Sequence, residues 1–523
     1  MFSSSRFFPS LSECCRRYSS FLAKHPALLY GIGVFLGFRS AFSWQWALVV
    51  PIILIIAPYF SKKIFDVGKE NRTRIMFAAI LGIVSFFVAF IVYDFPVVDD
   101  DGVTGKAHID ISSITLSKSH FGEAWVYRGA VRSFVADDNI IARNVPYIMY
   151  ISKGKQRLSA DRRYILDATI SATEGMVYRL KPDLQGKWYP VPHSWSMAEY
   201  RLRAKGAVTS YLTRKLSRHR SASFLAGLAT GEYHDRSTLF QLGRLGLQHI
   251  MAISGFHFAI IAALLALMLK AFFSLRVSSY ILIALLSSYF VFIGCSPSIQ
   301  RAWLSAVITI IGVLVGRPTY ALNTIGIAML AILSVSPLLC MNLGFQFSFL
   351  ATIAIVSLYP PIEALLGNIS ATRPLGAMKK LPWYEQWGYL VVAFLKKACA
   401  VTIAVHIVSA PMMLLYFHKF PLLGILFNIF FPFLVSIAIA ALLVTMLIDL
   451  VIPAVAAMFF SAIDVYTAAI IDFAVAVPAT MNFAIRTQAI SPTLFTVYLC
   501  LIAIIAIISY DTTETTKQQW QFI

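Results

Sequence analysis

The chain has 523 residues, 58% of them apolar, with a mean hydropathy of +0.73; this is too apolar for a soluble domain and typical of a polytopic membrane protein. Its 44 Lys plus Arg outnumber 25 Asp plus Glu, giving a net charge of +19, and the nearly charge-free spans push that excess into loops and exported segments. Such an excess suits anchoring to anionic headgroups, orientation by basic cytoplasmic loops, or a polyanionic substrate.

In chain order, residues 1–26 read as a retained cytoplasmic tail carrying Arg6, Arg16, Arg17 and Lys24. Residues 27–95 read as a three-helix membrane segment, with spans at 27–38, 46–60 and 75–93. Lys62, Lys63, Lys69, Arg72 and Arg74 between the second and third place that loop inside, so the chain emerges on the outer side after Tyr93. Of the six cysteines (Cys14, Cys15, Cys295, Cys340, Cys399, Cys500) none lies in residues 103–194, so the exported domain has no disulfide, and no CxxC pair suggests structural zinc.

Residues 103–192 change to short alternating stretches, GEAWVYRGAVRSFV, VPYIMYIS and RRYILDATISATEGMVYRL. In the third, Leu166, Ala168, Ile170 and Ala172 share one face, the period of a half-buried strand. This predicts a small antiparallel β domain. Its cations Arg128, Arg132, Lys153, Lys155, Arg157, Arg162, Arg163 and Arg179 interleave with Tyr127, Tyr147, Tyr150, Tyr164, Tyr178 and Trp188. Rings amid positive charge suit single-stranded nucleic acid; the alternative is that the rings fill a small barrel core.

Residues 195–246 read as basic amphipathic interfacial helices. Within residues 196–224, Arg201, Arg203, Lys205, Arg214, Lys215, Arg218 and Arg220 are opposed only by Glu199, and membrane-surface anchoring is the default use of such a segment. Residues 247–510 carry the remaining spans, about twelve in all, with Arg276, Arg317, Arg373, Lys379 and Lys380 on the cytoplasmic side; residues 511–523 read as a cytoplasmic tail.

The string GLQHIMAISGFHF sets His249, Ser254, Gly255 and His257 at the start of a long apolar helix. Polar groups entering hydrocarbon need a cavity or a partner, so they point to a lined interior. Arg301 comes after the helix breakers Gly294, Pro297 and Ser298, where a guanidinium can meet phosphate bidentately or snorkel to headgroups. Gln346 and Ser348 either line a pore or join neighbouring helices by hydrogen bonds. Two histidines alone make no metal site, and no cofactor is expected. Ser254 with His406 as a base would be an intramembrane serine hydrolase, but Ala252 replaces the first glycine of that motif. Asp449, Asp464 and Asp472, read as lying near helix ends, would serve an ion-coupled transporter of a small solute, the second functional reading.

Four blocks in order carry a resemblance. GLATGEYHDRSTLFQLGRLGLQHIMAISGFH holds Gly231, Arg236, Gly246, His249, Ser254, Gly255 and His257; SIQRAW and GRPTYALN hold Arg301, Ala302 and Arg317; SPLLCMNLGFQFSFLATIAI holds Pro337, Gly344, Phe345, Gln346 and Ser348; APMMLLYFHKFPLLGILFNIFFPF holds Pro411, Phe417, Asn428 and Pro432. In these the chain resembles the membrane core of the ComEC-type competence channel family. The resemblance implies a polytopic α-helical membrane protein with an OB-fold-like β domain after the third span, and an inner-membrane channel that brings single-stranded DNA into the cytoplasm during natural transformation. Asn428 joins the channel-lining candidates on that ground. The HxHxDH metal pattern of the family's metallo-β-lactamase-like domain does not occur, so no catalytic residue is expected. The partners implied are single-stranded DNA, membrane lipids, a cytoplasmic motor or helicase, a single-strand-binding protein, a periplasmic DNA receptor and a separate nuclease. No P-loop occurs to supply ATP-driven work.

Overall fold

A computed structural model describes residues 11–42, 68–93, 102–119, 122–153, 157–173, 177–183, 187–233, 235–251, 255–317, 319–367, 382–481, 483–487 and 490–509. The tail expected at the N-terminus contains a helix, α1 (Leu11–Lys24), which leads into α2 (Pro26–Ala41). The two meet at an 84° bend at His25–Pro26, where proline cannot continue the hydrogen-bond ladder. Asn323 bridges the break: its Oδ1 accepts from the Ala27 N–H (3.2 Å) and its Nδ2 donates to the Lys24 carbonyl (2.7 Å).

Helix α3 (Lys69–Val92) packs on α2 through a Gly-xxx-Gly pair in α2, Gly33 and Gly37. A Cβ at Gly37 would lie 2.0 Å from the Gly82 carbonyl oxygen, and one at Gly33 would lie 2.3 Å from that of Ala78. Between apolar helices association rests on such close approach, because lipid offers no hydrophobic drive. Gly37→Ala is therefore expected to destabilise the pair by about 1–3 kcal/mol, read as earlier heat-induced loss of the folded protein in detergent. Gly206→Ala, where nothing lies within 4 Å, serves as the silent control.

The segment after α3 is a closed barrel of β1 (Val103–Ser119), β2 (Gly122–Ala136), β3 (Asn139–Ser152), β4 (Tyr164–Ser171) and β5 (Tyr178–Pro182), with a short β6 (Tyr189–Pro190) beside β4. The order is β1-β2-β3-β5-β4, and β4 returns to β1. One strand does double duty: β1 pairs with β4 through residues 103–109 and with β2 through 106–119, and register shifts at His108/Ile109 and Ile111/Ser113 bend it between them. The sequence pattern does not show β1, runs β4 and β5 together, and predicts only antiparallel pairs, whereas β3 and β5 run parallel. Alternate residues Tyr164, Leu166, Ala168 and Ile170 face the core, but Ala172 is exposed beyond the strand end.

Beyond the barrel come α4 (Ala198–Lys215), α5 (His219–Thr230), α6 (Arg236–Arg244), α7 (Gln248–Met251), α8 (Gly255–Phe272), α9 (Leu275–Ile293), α10 (Pro297–Leu314), α11 (Ala321–Val335), α12 (Leu343–Gly367), α13 (Trp383–Phe417), α14 (Leu423–Val451), α15 (Pro453–Ala476) and α16 (Pro492–Ile508). Eight described helices are long and apolar enough to cross a membrane, nine if the bent α1–α2 pair counts as one span, and two apolar helices, in α11 and α16, are shorter. The span expected at 46–60 lies outside the described residues.

Residues 195–246, expected as basic interfacial helices, pack against both the barrel and the membrane helices. Ala198 belongs to the barrel core, and the Glu199 carboxylate, 3% exposed, takes the Ala160 N–H (3.1 Å), Arg203 Nε (3.1 Å) and the Arg157 guanidinium. Arg201 donates from Nε to the Val291 carbonyl of α9 (2.8 Å) and from Nη1 to the Ser112 carbonyl of β1 (3.2 Å). Lower on α4, Lys215 Nζ and Tyr211 Oη both reach the Asp449 carboxylate, at 2.7 and 2.6 Å. Helix α4 thus brackets the barrel to the membrane helices. Its successor α5 is largely buried, with Phe224, Leu225 and Leu228 in one core with α14 and α15.

Candidate functional site

The turn into α7 sets the site. Gly246 has φ +74° and packs where a Cβ would fall 2.9 Å from Pro421 Cγ and 3.0 Å from Gly424 Cα; glycine alone combines that backbone with that contact. The tight turn lays His249 against the start of α14, where the Asn428 side chain hydrogen-bonds it and His406 of α13 is its electrostatic neighbour. His406 Nδ1 in turn bonds the Thr402 carbonyl at 2.7 Å. His257, 2% exposed, lies one helix further on as the electrostatic neighbour of His249.

Arg301 closes the group from the other side. Its Nε donates to Ser348 Oγ of α12 at 2.8 Å, and a Cβ at Gly255 would come within 2.5 Å of its Nη2, so the guanidinium occupies the space that glycine leaves. Six helices, α7, α8, α10, α12, α13 and α14, therefore contribute polar side chains to one level of the bundle.

This level holds unmet hydrogen-bonding capacity. Asn428 Oδ1 and Gln300 Oε1 are buried without a partner, an arrangement that costs free energy unless water or a polar ligand supplies the bond. His249 keeps an exposed surface beside these polar neighbours. Among the described residues no group of three or more His, Cys, Asp or Glu is placed to hold a metal ion.

Not every predicted residue joins. Ser254 lies outside the described residues. Gln346, two residues from Ser348 and so on another face of α12, donates to the Cys340 carbonyl (2.9 Å) and accepts from Tyr416 Oη (3.3 Å), a helix-joining role. Sequence reasoning offers His406 only as a base for Ser254 and misses it as the neighbour of His249. The three aspartates are spread over two helices, and two of them are engaged: Asp449 holds Tyr211 and Lys215, and Asp464 accepts the Ser217 and Arg218 N–H groups at 3.2 and 3.1 Å. Asp464 sits near the middle of α15 and not at a helix end, which corrects that expectation.

On the barrel, the rings resolve toward the core. Tyr127, Tyr147, Tyr164 and Tyr178 are buried, and the Tyr127 hydroxyl donates to the Leu158 carbonyl at 2.8 Å. Tyr150 alone of the six aromatics exposes half its surface, at 51%. Among the cations, Lys153 pairs with Glu123, Arg157 with Glu199 beneath the Trp125 ring, Arg162 with Asp161, and Arg132 and Arg163 with Asp110; Lys155 lies outside the described residues. Arg128 and Arg179 are exposed, and no acidic partner to either is found among the described residues. They are neighbours in register, because Arg128 pairs with Ile148 and Ile148 with Arg179, so one outer row reads Arg128, Ile148, Arg179 with Tyr150 two residues along the same strand.

The family model described as Competence protein matches residues 228–511, a range that holds every residue of the polar level. The chain is also similar to ComE operon protein 3 of Bacillus subtilis (strain 168), 26% identical over 168 residues. That alignment takes in 31% of this chain and spans 22% of the relative's length. No solved structure matches.

Proposed function

Because the chain belongs to the competence protein family, we propose that it carries single-stranded DNA through the inner membrane into the cytoplasm during natural transformation. The observation that carries this reading is the accessible His249, grouped with His257, Asn428 and Arg301 inside helices that otherwise present hydrocarbon. Phosphates crossing a bilayer need such a level, where hydrogen-bond donors replace water.

The barrel would be the receiving surface, outside the membrane. Its strand order, closed by β4 on β1 with β3 and β5 parallel, is consistent with an OB-fold-like barrel, a family in which the β2–β3 face binds oligonucleotides. Arg128 of β2 and Tyr150 of β3 lie on that face, with Arg179 of β5 beside them, two cations for phosphate and one ring for a base. Binding there must be loose and salt-sensitive. We assign no catalytic step to the residues described; a cytoplasmic motor or helicase and a single-strand-binding protein would pull the strand, a periplasmic receptor would deliver it, and a separate nuclease would remove its complement.

The test tracks labelled DNA in cells lacking the protein. Loss of cytoplasmic arrival with normal arrival outside the inner membrane supports the channel. Unchanged cytoplasmic arrival overturns it.

A further inference from the structure

The stretch that joins the barrel to α4 is pinned on both sides of one tryptophan. Ser194 Oγ accepts the Arg163 N–H at 3.1 Å, while the buried Ser196 donates from its N–H to the Asp161 carbonyl (2.7 Å) and from Oγ to the Ile111 carbonyl (2.6 Å). Trp195 between them is 63% exposed. Tyr200, in the first turn of α4, is 54% exposed, and its ring lies 6.0 Å from the indole. Arg203, one turn further on the same face of the helix, exposes 73% of its side chain while its Nε bonds Glu199. A fixed backbone that presents two large rings side by side leaves apolar area for a partner to cover.

Helix α9 sets the height of this patch. Arg201, the residue after Tyr200, donates to the Val291 carbonyl at 2.8 Å, and its side chain passes Gly294, where α9 ends. Because α9 is long and apolar enough to cross a membrane, its end marks the level at which hydrocarbon gives way to headgroups. Val291 and Leu285 are exposed on α9, so a lipid-facing side of that helix runs up to the first turn of α4.

We propose that Trp195, Tyr200 and Arg203 are an interfacial anchor that seats the barrel on the phospholipid of the adjacent leaflet, the two rings at the acyl boundary and the guanidinium on a headgroup phosphate. Trp and Tyr concentrate at that boundary because each joins an apolar ring to a polar tip. One arginine, already shared with Glu199, suits a single headgroup phosphate and is too little for the successive phosphates of a nucleic-acid strand. The anchor needs only a chain that spans the bilayer, whatever that chain carries. It confines the interfacial role expected of residues 195–246 to one turn of helix.

Tryptophan fluorescence of the purified full chain in phosphatidylglycerol nanodiscs gives the test. The difference between wild type and Trp195→Phe isolates one of the nine tryptophans; the side chain is exposed, so the fold should survive, and size-exclusion behaviour checks this. The difference emission should be blue-shifted from that of indole in water, and lipid brominated high on the acyl chain should quench it more than lipid brominated near the chain end. Trp188, whose ring packs on Tyr164 in the barrel, is read in the same way through Trp188→Phe and should not be quenched. Tyr200→Ala with Arg203→Gln should lower the quenching of Trp195, and unchanged quenching in that variant overturns the part given to those two residues. A Trp195 signal that has the emission of indole in water and ignores brominated lipid overturns the anchor. So does a signal that oligo-dT quenches and brominated lipid does not, which assigns the patch to nucleic acid.

Discussion

Glu199→Ala is expected to release the barrel from the membrane helices while leaving both folded. The carboxylate is the hub of that junction: it accepts the Ala160 N–H from the barrel, pairs with Arg157 of the barrel, and bonds Arg203 one turn along its own helix. Removing the acid leaves a buried N–H without an acceptor and Arg157 without its counter-charge. The loss should be about 3 kcal/mol, the low end for breaking a buried pair, because Arg157 and Arg203 both keep access to water. Trypsin cleavage after Arg157 and amide exchange at Ala160 should both speed up, and equal rates in variant and wild type would refute the junction. The pH dependence has a definite sign. Burial alone would raise the Glu199 pKa, but the Ala160 N–H, Arg157 and Arg203 outweigh it and hold the value below the ordinary carboxylate range. Its contribution is therefore complete above that range and is lost as pH falls through the depressed value. Wild-type docking should weaken in acid, and Glu199→Gln should remove that dependence.

That junction also shows what the sequence could and could not reveal. Glu199 is visible as the single acid among seven cations, and a lone carboxylate in a basic helix is a hint of a buried partner. The helix nevertheless reads as lying on lipid, since composition cannot distinguish cations that face headgroups from cations that reach backbone carbonyls, as Arg201 does toward Ser112 and Val291. The alternation in residues 164–170 is legible because one face of β4 is buried. By contrast β1 is not: its two register shifts interrupt the period of two, and it pairs on both edges. In the bundle, His249, His257 and Arg301 stand out by polarity alone. Their company does not, because His406 and Asn428 reach His249 from helices more than 150 residues away, and only the packing of α8 on α14 and α10 brings them together.

Arg301→Ala should reduce cytoplasmic arrival of DNA ten- to a hundredfold while the protein still inserts, since a hydrogen bond to a charged group contributes about 1.5–3 kcal/mol and 1.4 kcal/mol is a factor of ten. The side chain has two constraints. Ser348 Oγ fixes Nε at 2.8 Å, and the missing side chain of Gly255 makes room for Nη2, so the guanidinium is held in one orientation. Lysine lacks that planar fork, so Arg301→Lys should remain well below wild type. Gly255→Ala tests the same geometry without touching the charge: its Cβ would sit 2.5 Å from Nη2, which must displace the guanidinium, and uptake should fall between wild type and Arg301→Ala. Ser348→Ala, which frees Nε but leaves the charge in place, should lose least. A series in which Arg301→Ala transports normally, or in which Gly255→Ala is worse than Arg301→Ala, would mean that the arginine holds helices together and does not meet the strand.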